Sequence, residues 1–345
     1  MKNFSKISKY AGMREDLVQA GGGNSAFKIT PDRMAIKASG FQLADVTETT
    51  GYAIVNPQVV RDAFLNCENL ECMTEEESKK ILSDAFVEGA RPSIETFLHS
   101  ISGRYSLHTH PVVVNALACR TNGQAVIKEL FPDALIVPYA TPGVALAKAY
   151  FMEYKAYRKS NDSEPRYVFL MNHGLLVSAD SAEEVIALTE EVTKRIETYL
   201  GVDYSAYHEM SRIDALFDDG ITWLVSDKHV IDASERLGGT WEHYFCPDCV
   251  VFLGKKMYVM NGNEIDKSNF DIFVEKNGYP TIVYFKDNLY IHADSVKKAM
   301  ETQSVLSFSA QVMSLNQGVE CSLLPEEEKN FLLNWDAEKY RKNMK

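Results

Sequence analysis

Three histidines and one glutamate are the residues of this 345-residue chain whose types and spacing suit chemistry best. In Tyr105-Ser106-Leu107-His108-Thr109-His110-Pro111, two histidines stand one residue apart at the end of a strand-like run. A strand turns alternate side chains to one face, so His108 and His110 present two imidazoles on the same side, as chelation of a metal ion requires. A surface strand among a chain's eight histidines has the same spacing. His173, in Met171-Asn172-His173-Gly174, follows a second apolar strand at a glycine turn, the strand-end position where α/β folds place chemistry. Three imidazoles and one open position make a catalytic zinc site. Taken alone, His173 fits a satisfied turn histidine better. Glu95, in Arg91-Pro92-Ser93-Ile94-Glu95-Thr96, precedes the H-x-H strand. Beside a metal, its carboxylate is a general acid or base. As the third residue of a helix capped by Ser93, it is an ordinary helix start. His99, four residues on, reads as packing or as support for a ligand.

Three further segments offer anion donors. Gly21-Gly22-Gly23-Asn24-Ser25 follows a helix and precedes a strand, the wrong order for a dinucleotide fingerprint, and it lacks a P-loop lysine. Its backbone N–H groups can still form an anion nest, with Asn24 and Ser25 adding side chains. Ser39-Gly40, closing Lys37-Ala38-Ser39-Gly40, offers a hydroxyl and an N–H at a strand end, and Ser93 offers a helix start. A helix stop and two turns account for the same residues blandly. Cys246-Pro247-Asp248-Cys249, with His243 before it, is either half a zinc site, a redox pair or two unpaired, partly buried thiols. No second C-x-x-C follows, and the second cysteine leads into the apolar run Cys249–Leu253, read as a strand. Unpaired thiols are the expectation.

The elements that must position these groups alternate over the first 200 residues. Helices are expected over Ser5–Ala20, from Pro57 with Asn56 as cap, from the Thr74–Glu77 capping box to about Glu88, and from Ser93 to about Ser102. Further helices start at Pro111, at Gly143 and at Asp180 or Ser181, the last reaching about Leu200. Strands are expected over Ala26–Ile29, Met34–Ala38, Tyr52–Val55, Tyr105–His108, Ala134–Tyr139, Arg166–Met171 and Leu175–Val177. Beyond Gly201 the composition changes. Short strands are expected at Val250–Leu253 and Met257–Met260, a hairpin at Thr281–Phe285 and Leu289–His292, and helices from Ser295 and Pro325. Two domains follow, 1–205 and 206–345, the second a small α+β unit of open role. It is too short, and lacks the glycine-rich turn, for a full dinucleotide-binding domain.

A net charge of -12 works against general nucleic-acid binding, though not against a local phosphate pocket. The longest apolar runs are far too short for a bilayer, and the start of the chain lacks a signal-peptide pattern. Six scattered cysteines fit reduced thiols in a cytoplasm.

In their order, Gly-Gly-Gly-Asn-Ser, Lys-Ala-Ser-Gly, Pro-Ser-Ile-Glu, His-Thr-His-Pro and Asn-His-Gly resemble the class II aldolase/adducin family, from about Asp16 to Leu200. The long glycine form looks most like the aldolase part of rhamnulose-phosphate aldolase/dehydrogenase-type proteins. The resemblance implies an α/β fold, a three-layer α/β/α domain with a mainly antiparallel central sheet, and ring-shaped tetramers. It implies one divalent metal per chain, usually Zn2+, held by His108, His110 and His173 and stabilising an enediolate. Glu95 would be the acid/base, and Gly23, Asn24, Ser39, Gly40 and Ser93 would hold the phosphate of a sugar phosphate. The sequence departs from the simple aldolases in carrying Ile94 where some relatives have a second phosphate-binding serine. The expected function is a metal-dependent lyase in a cytoplasmic homo-oligomer, acting on a sugar or sugar phosphate, without nucleic-acid or membrane partners. The same site would also serve epimerisation, dehydration or decarboxylation of a sugar acid phosphate. A non-catalytic adducin-like interaction protein would not need the four intact site residues.

Overall fold

The computed structural model describes residues 1–67, 69–237 and 244–335. These fall into two compact units, Met1–Tyr204 and a second beginning at Ser205. His243 lies outside the described residues.

The first unit is built on β1 (Asn24–Thr30), β2 (Arg33–Lys37), β3 (Tyr52–Val55), β4 (Phe86–Gly89), β5 (Tyr105–Thr109), β6 (Leu135–Val137), β7 (Tyr167–Leu170) and β8 (Gly174–Ala179). They form one sheet in the order β4-β3-β2-β1-β5-β8-β7-β6. Every pair is antiparallel except β6–β7. Its helices are α1 (Lys2–Gly12), α2 (Pro57–Leu65), α3 (Glu75–Ala85), α4 (Thr96–Ser100), α5 (Val112–Ala118), α6 (Gly123–Leu130), α7 (Val144–Ser160) and α8 (Ala182–Leu200).

Strand alternation makes the layers. Val168, Leu170 and Leu176 pack with Phe64 of α2, Phe97 of α4 and Phe151 of α7. Their neighbours Phe169, Leu175 and Val177 turn the other way, onto α5, α6 and α8. On β5, Tyr105 and Leu107 join α1 and α8. Ser106 and His108 therefore face the opposite layer, that of α2, α4 and α7. The expected three-layer α/β/α arrangement with a mainly antiparallel sheet is present.

Local signals placed several elements well. Asn56 caps α2, Thr74 and Glu77 form a full capping box on α3, and Ser181 caps α8. Others need correction. The first helix ends at Gly12 rather than Ala20. A Cβ at Gly12 would lie 2.1 Å from the Ala44 nitrogen, and the chain then turns so that Arg14 grips Asp16. Residues two apart do not face each other on a helix, so that pair is incompatible with its continuation. The Thr74 helix stops at Ala85, because Phe86–Gly89 pairs with β3 as the edge strand. Ser93 caps no helix through Ser102. The short α4 starts at Thr96 with Glu95 at its N-cap, and Ser93 accepts from the Glu95 N–H instead.

The second unit holds a sheet of β9 (Ile221–Leu224), β10 (Tyr258–Val259), β11 (Ile282–Phe285) and β12 (Asn288–Ala293), ordered β10-β11-β12-β9. With it are α9 (Ser205–Asp214), α10 (Lys228–Leu237), α11 (Pro247–Leu253), α12 (Lys267–Asn277), α13 (Val296–Leu315) and α14 (Glu326–Asn334). The β11–β12 hairpin turns through Lys286 and Asp287, both at positive φ. Ser295 caps α13. The run Cys249–Leu253, expected as a strand, is helix α11. Pro247 occupies its first turn, and four of the five residues are buried. A short apolar run buried all round has no period that separates helix from strand. α9, α10, α12 and β9 went unread. Among the described residues, no helix is long and apolar enough to cross a membrane.

Candidate metal centre and its carboxylate

β5 runs between β1 and β8, with His108 opposite Asn24 on one side and Leu176 on the other. This pairing places the ends of three strands together. His108 and His110 come from the end of β5. His173 comes from the three-residue turn between β7 and β8, where Leu170 pairs with Gly174 and Asn172 takes a positive φ that asparagine tolerates.

Glycines let the rings close on one another. A Cβ at Gly174 would stand 2.3 Å from the Thr109 carbonyl and 2.9 Å from the His110 ring. One at Gly22 would stand 2.8 Å from His110 Nδ1, and one at Gly23 2.7 Å from the His108 carbonyl. The glycine run is thus first a close-packing device against the histidine strand. It stops no helix. The turn before it is pinned to that strand by His110 N–H donating to the Leu17 carbonyl at 2.8 Å and Val112 N–H to Asp16 at 2.9 Å. Fully buried Arg14 fixes the turn in place, bonding Asp16 through two nitrogens at 2.9 and 2.6 Å and Glu190 at 2.5 Å.

The three imidazoles point one nitrogen each at a common space. His108 Nε2 lies 3.1 Å from His110 Nε2 and 3.3 Å from His173 Nε2. His108, 0% exposed, donates from Nδ1 to the Leu175 carbonyl at 2.9 Å, which leaves Nε2 as a lone-pair donor. Metal–nitrogen bonds of 2.0–2.1 Å in a tetrahedron separate the nitrogens by about 3.3 Å, so these residues fit a divalent ion. Burial, then the nearby His108 and His173, push His110 down to about 3. Burial and His108 push His173 down to about 4. At neutral pH both rings are therefore in the neutral, ligating form. His108, His110 and His173 form the metal-sized cluster of His, Cys, Asp and Glu found among the described residues.

Glu95 Oε1 lies 3.5 Å from His108 Nε2 and 3.6 Å from His173 Nε2. Burial raises its pKa, but His108, the Asn24 amide and His173 outweigh burial and hold it below the ordinary value. Asn24 Nδ2 donates to Glu95 Oε2 at 2.5 Å and to Ser93 Oγ at 3.0 Å, while its own buried Oδ1 has no partner. Asn24 and Ser93 therefore belong to the carboxylate's immediate surroundings. Ser39 and Gly40 are exposed, and Ser39 N–H donates to the Arg91 carbonyl, tying them to the segment that leads to Ser93. His99 stays off the metal cluster. Its Nδ1 meets Ser106 Oγ at 2.6 Å, two residues before His108.

Sequence reasoning did not single out Lys37, a buried cation beside the glycine run. It is 3% exposed, with Nζ 3.5 Å from the Gly21 carbonyl, and it pairs with no carboxylate among the described residues. Burial lowers its pKa, against the pull of Glu95 and Asp45. Its place at the head of Lys-Ala-Ser-Gly was the available signal.

Among solved structures, the chain is similar to the N-terminal class II aldolase domain of a conserved protein from Thermoplasma acidophilum, at 23% identity and a TM-score of 0.49, covering 57% of this chain and 92% of that one. It is similar to YgbL of Klebsiella pneumoniae, described as an aldolase/epimerase/decarboxylase candidate, at 17% identity and 0.41, covering 58% and 91%. L-fuculose-1-phosphate aldolase from Thermus thermophilus is similar at 19% identity and 0.37, covering 61% and 95%. No curated protein matches the chain. Residues 4–200 match the family described as the class II aldolase and adducin N-terminal domain, which is more than half of the chain. The chain belongs to the class II aldolase and adducin family.

Proposed function

We propose that the protein is a metal-dependent lyase that cleaves or forms a carbon–carbon bond in a sugar or sugar phosphate. The observation that supports this most is the meeting of three imidazole nitrogens with one partly buried carboxylate about 3.5 Å away. His108, His110 and His173 would hold one divalent ion, zinc being the one the family resemblance favours, since three imidazoles suit several divalent metals. Such an ion supplies a Lewis acid for a carbonyl oxygen. Glu95, ionised at neutral pH, takes the proton beside that carbonyl or returns it in the reverse direction. Asn24 aims the carboxylate, and the His108–Leu175 bond fixes the ring that faces it. Gly23, Asn24, Ser39, Gly40 and Ser93 bind the substrate's anionic group, most simply a phosphate, and Lys37 supplies a local cation for an anion that a chain of net charge -12 otherwise repels. Family resemblance supports a homo-oligomer, a tetramer in that family's usual form. The free cysteines support a reducing compartment such as the cytoplasm.

The test is a screen of zinc-loaded protein against ketose phosphates and sugar-acid phosphates with product analysis, beside Glu95→Gln. The expected result is an aldehyde and a smaller ketose fragment, formed at least about a hundredfold more slowly by the variant at equal metal content. An epimerised, dehydrated or decarboxylated product would move the assignment to that reaction. Equal turnover by the variant would reduce Glu95 to a helix-start residue.

A further inference from the structure

The second unit brings two sulfurs into contact. Cys246 sits at the N-cap of α11 in extended conformation, Pro247 and Asp248 start the turn, and Cys249 returns to the same side. Its Sγ lies 3.5 Å from that of Cys246. Closing a bond of about 2.05 Å from there brings the two sulfurs together by roughly a further 1.5 Å. Cys249 is 0% exposed, while Cys246 is partly exposed. A reagent therefore meets Cys246 first and finds Cys249 directly behind it. No other pair of cysteines among the described residues has its sulfurs in contact. Nor does any third His, Cys, Asp or Glu among them complete a metal-sized cluster with this pair.

We propose that Cys246 and Cys249 form a reversible dithiol–disulfide couple that exchanges with small-molecule disulfides such as glutathione disulfide. Cys246, as thiolate, attacks one sulfur of the glutathione disulfide. That S–S bond breaks, and one glutathione leaves as thiolate and takes up a proton. Cys249 then gives up its proton to solvent and attacks Cys246 Sγ in the mixed disulfide, expelling the second glutathione. The two protein thiols are oxidised by two electrons, and one glutathione disulfide is reduced to two glutathiones. The division of labour is consistent with the surroundings. Burial, and then the hydrogen bond and charge of Cys246, push the Cys249 thiol up to about 12. Cys249 thus stays protonated as a donor until the mixed disulfide removes the charge beside it.

The full chain, reduced and then equilibrated in glutathione buffers of rising oxidised fraction, is acid-quenched, alkylated and mapped by mass spectrometry. The expected result is a peptide carrying a Cys246–Cys249 disulfide that rises from absent to the whole population and disappears with dithiothreitol. Cys72 and Cys119, exposed and without a sulfur neighbour, are internal controls and form no intramolecular link. Cys249→Ser should trap a lasting glutathione adduct on Cys246, and Cys246→Ser should give no adduct at Cys249. Full alkylation of both cysteines across the series would overturn the proposal, as would a disulfide joining either to another cysteine. Zinc in the purified chain that Cys246→Ser removes would overturn it in favour of a metal site. The wild-type titration decides the matter even if a variant does not fold.

Discussion

Two histidines on inner strands, one in each unit, show how little residue type alone decides. His108 lies on β5 and His292 on β12, each in a largely antiparallel sheet and each over a glycine. A Cβ at Gly174 would come within 3.2 Å of the His108 ring, and one at Gly220 within 2.8 Å of His292. The difference is company. His292 stacks flat on Phe217, ring centres 3.6 Å apart and planes at 6°, with Nδ1 3.3 Å from Thr222 Oγ1 directly across the ladder. His108 makes only edge contacts with two other imidazoles, and its Nε2 faces theirs and a carboxylate. A glycine beneath a histidine thus reports a tightly packed ring. Convergence of ring nitrogens is what marks chemistry.

Removing the two kinds of histidine should separate these roles most sharply. His108→Ala with His110→Ala should abolish bound metal, read by elemental analysis of purified protein, and with it turnover. His292→Ala should leave metal content unchanged and lower only stability. Equal metal in all three proteins would break the distinction.

The next contrast sets a buried ion network against a surface pair. Arg14, enclosed with Asp16 and Glu190, holds the turn that pins the His110 backbone, whereas Lys267 and Asp271 in the second unit meet in solvent. Deleting one member of a buried network strands its partners, so Arg14→Met should cost about 3–5 kcal/mol in denaturant unfolding. Lys267→Met should cost no more than about 1 kcal/mol. Similar small losses in both would show that the Arg14 turn is held by packing alone.

This network also marks where the sequence stopped being legible. Same-face histidines on a strand, capping boxes and a hairpin turn are local patterns, and they survive in the structure with the expected partners. Arg14, Lys37 and the packing role of Gly22, Gly23 and Gly174 depend on groups distant in the chain. Gly174, for example, meets His110 across a strand pairing that no local spacing encodes. α11 was misread for another reason. Burial on all sides erased the periodicity that separates helix from strand.

His99 offers a smaller, pH-dependent contrast. It is fully buried, and burial with the nearby His108 holds its pKa down to about 3, against 6.5 for an ordinary histidine. Between those values the unfolded chain binds a proton that the folded chain refuses, so stability falls as pH drops below about 6.5 and recovers as it rises. From pH 7 to pH 5 the loss from His99 is about 2 kcal/mol. Unfolding of wild type and His99→Gln at the two pH values measures it. The variant should be less pH-sensitive by about that amount, and an unchanged difference would mean that the ring titrates normally.

The smallest expected effect separates the metal centre from the anion pocket beside it. Asn24 and Ser93 are bonded into the Glu95 surroundings, while Ser39 stands exposed at the end of the β2 segment. A hydroxyl that donates to a charged phosphate oxygen contributes roughly 1.5–3 kcal/mol, and solvent competition at an exposed position favours the lower end. Ser39→Ala should therefore weaken a phosphorylated substrate about tenfold, raising KM with little change in kcat, and leave the dephosphorylated analogue and the metal content unaffected. Asn24→Ala should behave differently. Its amide also steadies the Glu95 carboxylate, so it should lower kcat for both ligands as well as raise KM for the phosphorylated one. If both variants weaken the two ligands equally, Ser39-Gly40 is only the turn after β2. If the wild type prefers the unphosphorylated compound, a sugar-acid carboxylate becomes the anion that Lys37 and the glycine loop receive.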